Sequence, residues 1–397
     1  MWPFSTPHLP FANGPYIPGC VDVMTEYSKN GLLFRLYYPT NKTSNIKDYI
    51  LDWVPWIPDE SYLKGFARVL MIWMIAVRFT IWLVSGKIHI PVVYGGKIRK
   101  DEKLKCIVFS HGLGGGRFFY STMCIELASR GFLVIAIEHR DESASSTYYY
   151  ESKENAKSDI KSFINYVPIK LGNNHYTIRN TQVQQRSAEC QKLTELLQVI
   201  NSGVIPYNVL KDVPTENYTE FDLNDLTGLL DVDDMIMMGH SFGAATALLT
   251  LGQNKQLRQG IILDPWMFPI KEMPELISTV TQPLLFINTQ TFHIISNVKV
   301  MEQFVEANED SRPIYTILGT THENQADTVF VVGYWMNWFM KKLSAETAIQ
   351  INNALILSFL NKQINYPPNV SDCEEYLLQE SRNLVSGIPA LKSLIKV

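Results

Sequence analysis

The feature that most constrains this chain is a five-residue stretch, Gly239-His240-Ser241-Phe242-Gly243, set between an apolar run over Asp234–Met238 and an alanine-rich run over Ala244–Gln253. The spacing is G-x-S-x-G, with a strand expected before it and a helix after it. A serine at that place sits on a sharp turn with strained backbone angles. Side chains two residues before or after it would collide with the neighbouring strand and helix, so glycine is required on both sides. The helix that begins just past the serine offers free N–H groups and the positive end of its dipole. The competing reading, a serine in an ordinary strand-to-helix turn, leaves the paired glycines without a purpose.

The rest of the chain agrees with this turn. Strands are expected over Leu32–Tyr38, Lys105–Phe109, Phe132–Ile137, Gly260–Leu263, Pro283–Ile287 and Pro313–Leu318, and helices over Phe118–Ser129, Thr181–Ile200 and Gln325–Lys341. Alternation of strands and helices implies a mostly parallel central sheet with helices on both faces. The expected class is therefore α/β, with the α/β-hydrolase fold. A single domain is expected over residues 16–365, with a loosely ordered segment at 1–15 and an extension at 366–397.

That fold orders its reacting residues as serine, then acid, then histidine. Only His293 and His322 follow Ser241. His322 lies just past the strand ending at Leu318 and is the expected base, with His293 as the fallback. The strand ending at Leu263 delivers Asp264, whereas the one ending at Ile287 delivers Asn288, Thr289 and Gln290 and no carboxylate. Asp264 is thus the expected acid, ahead of Glu302 and Glu306, which fall inside a helix; its alternative role is a helix cap before Pro265. A tetrahedral intermediate needs two N–H donors aimed at its developing charge. Phe242, the residue after the serine, and Leu113, in the glycine-rich loop Ser110-His111-Gly112-Leu113-Gly114-Gly115-Gly116, are the expected donors. His111 and His240 are expected to pack and hydrogen-bond rather than react. Glu138-His139-Arg140-Asp141 is expected to form a charged network bracing the site loops. No metal-ligand spacing and no phosphate-cradling G-K-[ST] is present, so neither a metal nor another cofactor is expected.

Composition narrows the partners. The net charge is −4, without the basic stripe that nucleic acid demands. The five cysteines are scattered and read as buried free thiols in a reducing compartment. Neither a secretory signal nor a myristoylation motif is read over Met1–Pro18, so the sequons at Asn41, Asn217 and Asn369 are expected to be fortuitous. Val69–Val84 is apolar except for Arg78 and Thr80. It is shorter than the roughly 20 apolar residues that a spanning helix needs. A buried helix and a helix dipping into one membrane leaflet are equally compatible with it, and a true span is the less favoured third reading; Trp73 and Trp82 between Arg68 and Lys87 suit an interface but also a core.

Several ordered segments together resemble the platelet-activating-factor acetylhydrolase family, also called group VII phospholipase A2. They are Asn13-Gly14-Pro15-Tyr16, Phe34-Arg35-Leu36-Tyr37-Tyr38-Pro39, Phe109-Ser110-His111-Gly112-Leu113-Gly114, Leu127-Ala128-Ser129-Arg130-Gly131-Phe132, Glu138-His139-Arg140-Asp141, the Ser241 turn, Leu263-Asp264, Trp266-Met267-Phe268-Pro269 and His322. The resemblance implies calcium-independent hydrolysis of short or oxidised sn-2 acyl chains of phospholipids. It carries the family's reacting residues onto Ser241, Asp264 and His322, and its oxyanion donors onto Leu113 and Phe242. The chain departs from the family pattern at Gly115, Gly116, Ala244, Pro265, Thr320 and Thr321, which bears on the shape of the acyl pocket. The expected partners are a phospholipid substrate and a peripheral membrane or lipid-particle surface met through residues 69–84, in the cytoplasm. A general carboxylesterase or lipase is the alternative enzyme, and an inactive lipid-binding scaffold the alternative from another class. The sequence leaves oligomeric state, acyl length and headgroup open.

Overall fold

The computed structural model describes residues 6–69, 88–169, 172, 174–214, 219–332 and 342–389. Ten strands build one sheet. In chain order they are β1 (Pro18–Met24), β2 (Leu33–Pro39), β3 (Val93–Tyr94), β4 (Leu104–Ser110), β5 (Leu133–Glu138), β6 (Leu230–His240), β7 (Leu257–Leu263), β8 (Leu284–Thr289), β9 (Ile314–Ile317) and β10 (Leu384–Ser386). Across the sheet the order is β10-β9-β8-β7-β6-β4-β5-β2-β1-β3. The six strands from β9 to β5 run parallel. Antiparallel strands flank them, β2 on β5 and β10 on β9.

Seven helices matter here: α1 (Glu60–Val69), α2 (Ser121–Ser129), α3 (His175–Asn201), α4 (Phe242–Gln253), α5 (Ile295–Glu306), α6 (Ala345–Ile364) and α7 (Ser371–Gln379). Parallel strands covered on both faces read as continuous apolar runs, and β5 and β8 are buried at every residue. Successive side chains still part to opposite faces. In β6, Met235 and Met237 join the core under α3, α4 and α5 with Val183, Leu248 and Phe304. Ile236 and Met238 join the core under α2 and α6 with Leu127, Ile356 and Leu360.

The expected strands are all present, most of them longer than their apolar cores, and α3 begins at His175 rather than Thr181. Of these elements, β1, β3, β10, α1, α6 and α7 went unread. Residues 333–341 of the expected closing helix lie outside the described residues. Thr328–Val332 is helical, and α6 packs on α2 on that side. The ends are not loose where they are described. Leu9 is buried and its N–H donates to the His89 carbonyl (2.9 Å). Residues 366–389 supply α7 and the edge strand β10. Of the apolar run 69–84, Val69 ends α1 and the remainder lies outside the described residues, as does the sequon at Asn217. Among the described residues no helix is long and apolar enough to cross a membrane. All five cysteines are free and buried.

Candidate active site

The central parallel strands end on one edge of the sheet, and β4, β6, β7 and β9 each hand one piece of the site to that edge. β6 stops at His240, and Ser241 turns the chain with φ 58° and ψ −115° before α4 starts at Phe242. A non-glycine residue held there costs roughly 1–3 kcal/mol of strain. The turn is held against it: the Ser241 N–H donates to Leu263 O (2.9 Å), and the Ser241 carbonyl accepts from Ala244 and Trp266 N–H, both at 3.1 Å. The glycines have the expected purpose, with specific obstacles. A Cβ on Gly239 would overlap the Gly243 carbonyl, and a Cβ on Gly243 would overlap the Ser110 carbonyl.

Asp264 follows β7, also at positive φ (41°), with its N–H on the Ile287 carbonyl (3.0 Å). Its carboxylate is fully buried. Oδ1 accepts the Thr289 N–H (2.7 Å), and Oδ2 accepts the Thr289 hydroxyl (2.5 Å) and His322 Nδ1–H (3.0 Å). β8 supplies no acid, but its last residue, Thr289, orients the one supplied by β7. His322 opens a short 3-10 turn after β9, where Thr321 and Asn324 cap one another. The next loop is tied down by Asp327, whose carboxylate accepts the N–H groups of Ser121 (2.6 Å) and Thr122 (3.1 Å) at the start of α2. The His322 ring stacks on Phe292 (3.8 Å between centroids) and lies 4.4 Å from the ring of His240. With Nδ1 donating to Asp264, Nε2 is left as the basic nitrogen. The fallback His293 is engaged elsewhere, on Gln290 O and the Thr316 hydroxyl, and Glu302 and Glu306 are exposed on α5. The ligand atoms of His240, Asp264 and His322 lie within 4.8 Å of one another, a spacing that could also hold a metal ion. Asp264 and His322 already spend those atoms on each other.

The loop after β4 lies beside the serine: a Cβ on Gly112 would come 3.4 Å from Ser241 Cβ. Its peptide planes are pinned one by one. The His139 N–H donates to His111 Nε2 (3.2 Å). A backbone N–H can only donate, so the His111 proton sits on Nδ1, which donates to the Gly112 carbonyl (2.7 Å). Gly115 N–H adds a second donor to that carbonyl (3.1 Å). Across a trans peptide the Leu113 N–H then points the opposite way. The Gly112 N–H is taken by the Tyr120 hydroxyl (2.9 Å), the His111 carbonyl by Arg186 Nη1 (2.6 Å) and the Gly114 N–H by Ser143 O (2.7 Å). Among the described residues, the amides of Leu113 and Phe242 have no acceptor. Two amides without acceptors, one in the loop beside the strained serine and one directly after it, suit an anionic oxygen.

Burial, then the charge of Arg186, hold the His111 imidazole well below its ordinary range, and burial does the same to His240. Both stay neutral as hydrogen-bonding parts, in keeping with their expected roles. The acidic-basic run past β5 is indeed a brace. Glu138 pairs with Arg117 (2.7 Å), which also holds Asp22 (3.1 Å); His139 pairs with Glu189 (2.6 Å); Asp141 pairs with Arg186 (2.8 Å). Thr289, Tyr120, Arg186 and Glu189 were not found in the sequence. None sits in a motif, and each acts through a partner distant along the chain.

Comparison with known proteins identifies the family and the fold. The family model for platelet-activating factor acetylhydrolase, isoform II, matches residues 3–382. The platelet-activating factor acetylhydrolase of Cavia porcellus is 35% identical over 380 residues, covering 95% of this chain and 83% of that protein. That of Gallus gallus is 34% identical over 389 residues, covering 96% and 89%. Among solved structures, a ferulic acid esterase from Streptomyces cinnamoneus superposes with a TM-score of 0.58 at 13% identity, covering 96% of this chain and 99% of that one; it shares the α/β-hydrolase fold. The chain belongs to the platelet-activating factor acetylhydrolase family, isoform II type.

Proposed function

We propose that this protein is a calcium-independent serine esterase that removes the short or oxidised sn-2 acyl chain of platelet-activating factor and related phospholipids. Ser241 attacks the ester carbonyl while His322 Nε2 takes its proton, and Asp264 holds the imidazole and stabilises the imidazolium that forms. The oxyanion rests on the N–H groups of Leu113 and Phe242. His322 returns the proton to the departing lysophospholipid, and water activated by the same ring releases the acid from the acyl-serine. The observation that carries this reading is the Asp264–His322 hydrogen bond, with the His322 ring 4.4 Å from that of His240, the residue before the strained Ser241 turn. The substrate class rests on the family and on relatives that bear this activity in their names.

The reading extends to a cytoplasmic location and docking on a membrane or lipid-particle surface. Five buried free thiols suit a reducing compartment. The apolar sequence of residues 69–84 supports docking, as do the exposed Ile294 and Ile295 beside Phe292, the ring stacked on His322. Flotation with phosphatidylcholine vesicles tests it: Ile294→Ser with Ile295→Ser should weaken vesicle binding.

Release of labelled acetate from platelet-activating factor in chelator-containing buffer, with Ser241→Ala beside the wild type, tests the chemistry. Fast release by the wild type and none by the variant is expected. A folded wild type that cleaves simple esters but not platelet-activating factor would retain the Ser–His–Asp assignment and remove the phospholipid one.

A further inference from the structure

Phe242 gives its amide to the site and its ring to two arginines of α3. The Arg186 guanidinium lies 4.3 Å from the ring centroid and that of Arg179 6.0 Å. Seven residues apart on a helix, the two side chains share a face, and both are buried, at 0% and 3% exposure. Their partners differ. Arg186 is matched by a carboxylate: Nε donates to Asp141 Oδ2 (2.8 Å) and Nη2 to the Ser143 hydroxyl (2.5 Å), in addition to the bond to His111 O. Arg179 donates through Nη1 to Gln182 Oε1 (2.8 Å) and has the Tyr166 phenol as a second polar neighbour. Among the described residues no carboxylate pairs with it, and its Nε is buried without an acceptor. Asp141 is already committed to Arg186 and Ser143.

A buried cation without a counter-ion is costly, and Arg is the side chain best shaped to bind phosphate oxygens. Arg179 is also well placed. It lies 5.7 Å from the ring of Trp266, the residue whose N–H holds the Ser241 carbonyl. Trp266 stacks on Phe268 and Phe268 on His175, and all three are only partly buried. This aromatic row runs from Phe242 outward past the guanidinium. In a glycerophospholipid the sn-3 phosphate is joined to the sn-2 ester by a short glycerol bridge, so both groups fall within one site.

We propose that Arg179 binds the phosphodiester of the substrate headgroup, and is the residue that separates phospholipid esters from neutral ones. The proposal rests on the ester-hydrolase reading of the Ser241 site and adds the headgroup contact to it.

The test compares kcat/KM for platelet-activating factor and for p-nitrophenyl acetate in the wild type, Arg179→Lys, Arg179→Gln and Arg179→Leu, each checked for folding by its thermal midpoint. Losing a charge-assisted contact should lower kcat/KM for the phospholipid by roughly 10–100-fold, mostly through KM. The neutral ester should lose far less, and Lys should rescue part of the phospholipid rate. Glycerophosphocholine should compete with the phospholipid in the wild type and not in Arg179→Leu. Equal losses on both esters in a folded variant would overturn the proposal and leave Arg179 as packing for Phe242. Inhibition by inorganic phosphate as strong as by glycerophosphocholine, and dependent on Arg179, would overturn the lipid source in favour of a free-phosphate site. A wild type that does not prefer the phospholipid would sink the substrate reading and the proposal together, whereas a preference that survives in Arg179→Leu would sink only the proposal.

Discussion

Ser241–His322–Asp264 and Ser110–His139–Glu189 are two serine–histidine–carboxylate chains, one at each side of the oxyanion loop. The second is the more tightly bonded. His139 Nε2 lies 2.7 Å from the Ser110 hydroxyl and Nδ1 2.6 Å from Glu189, against 3.0 Å between His322 and Asp264. Yet Ser110 lies in a strand, with no strain and no free amides before it, and both it and His139 are wholly buried. The His322 side chain is 28% exposed. Charge separates them further. A general base must become a cation during the reaction. Burial, then Arg186, hold His139 well below its ordinary range, and burial raises the Glu189 carboxyl. The Glu189 oxygens are also shared with Gln185 and the Arg140 N–H. Among the described residues, Asp264 receives only Thr289 besides the imidazole. Well-made hydrogen bonds are thus not what makes such a chain reactive; access, strain at the serine and room for an imidazolium are. The output of the second chain is structural: the His139 N–H sets the His111 tautomer, and His111 aims the Leu113 amide.

Serine removal should break the comparison most sharply. Ser241→Ala should cut kcat by about 10⁴-fold or more, while Ser110→Ala should cost less than about tenfold; similar losses from both would erase the distinction. The acids should differ next. Asp264→Asn, which presents the wrong tautomer to His322, should lose about 10⁴-fold in kcat. Glu189→Gln should lose about tenfold, with the pH profile of kcat unchanged, because its histidine never titrates in the cycle. His111 sharpens the link between the two chains. His111→Phe should lower kcat by about 10²-fold, the size of one mis-aimed oxyanion donor, with KM little altered. His111→Asn, whose amide nitrogen can stand in for Nδ1, should recover most of that loss. If Asn and Phe behave alike, the aiming role of His111 falls.

The smallest effect is on stability. His111 and His240 bind protons less readily folded than unfolded. Below about pH 6.5 the unfolded chain therefore takes up protons that the folded one refuses, and stability falls as the pH drops from there toward the folded values. Each contributes a slope of about 1.4 kcal/mol per pH unit. Glu189, shifted upward, acts in the opposite sense and offsets part of what His139 adds. Urea midpoints measured between pH 7.5 and 5 should fall in the wild type, and His240→Gln should remove about one proton from that slope. An unchanged slope would place the acid sensitivity elsewhere.

What the sequence determined by itself is what local geometry writes into consecutive residues. Strand periodicity announced the parallel sheet, and steric crowding at one turn demanded glycine at 239 and 243 around Ser241. The rule that such sheets present their chemistry past the strand ends picked Asp264 and His322 from their places in the chain. Only the tertiary structure decided what holds those groups. Thr289 reaches Asp264 across 25 residues, His139 reaches His111 across 28 and Arg186 reaches His111 across 75. β10 is three residues long and becomes a strand because β9 offers it an open edge. The same holds for Arg179, which differs from Arg186 only in what surrounds it. A hydrogen bond between neighbouring strands, or the lack of a carboxylate beside a buried cation, depends on which segments the fold brings side by side, and no window of contiguous residues contains that information.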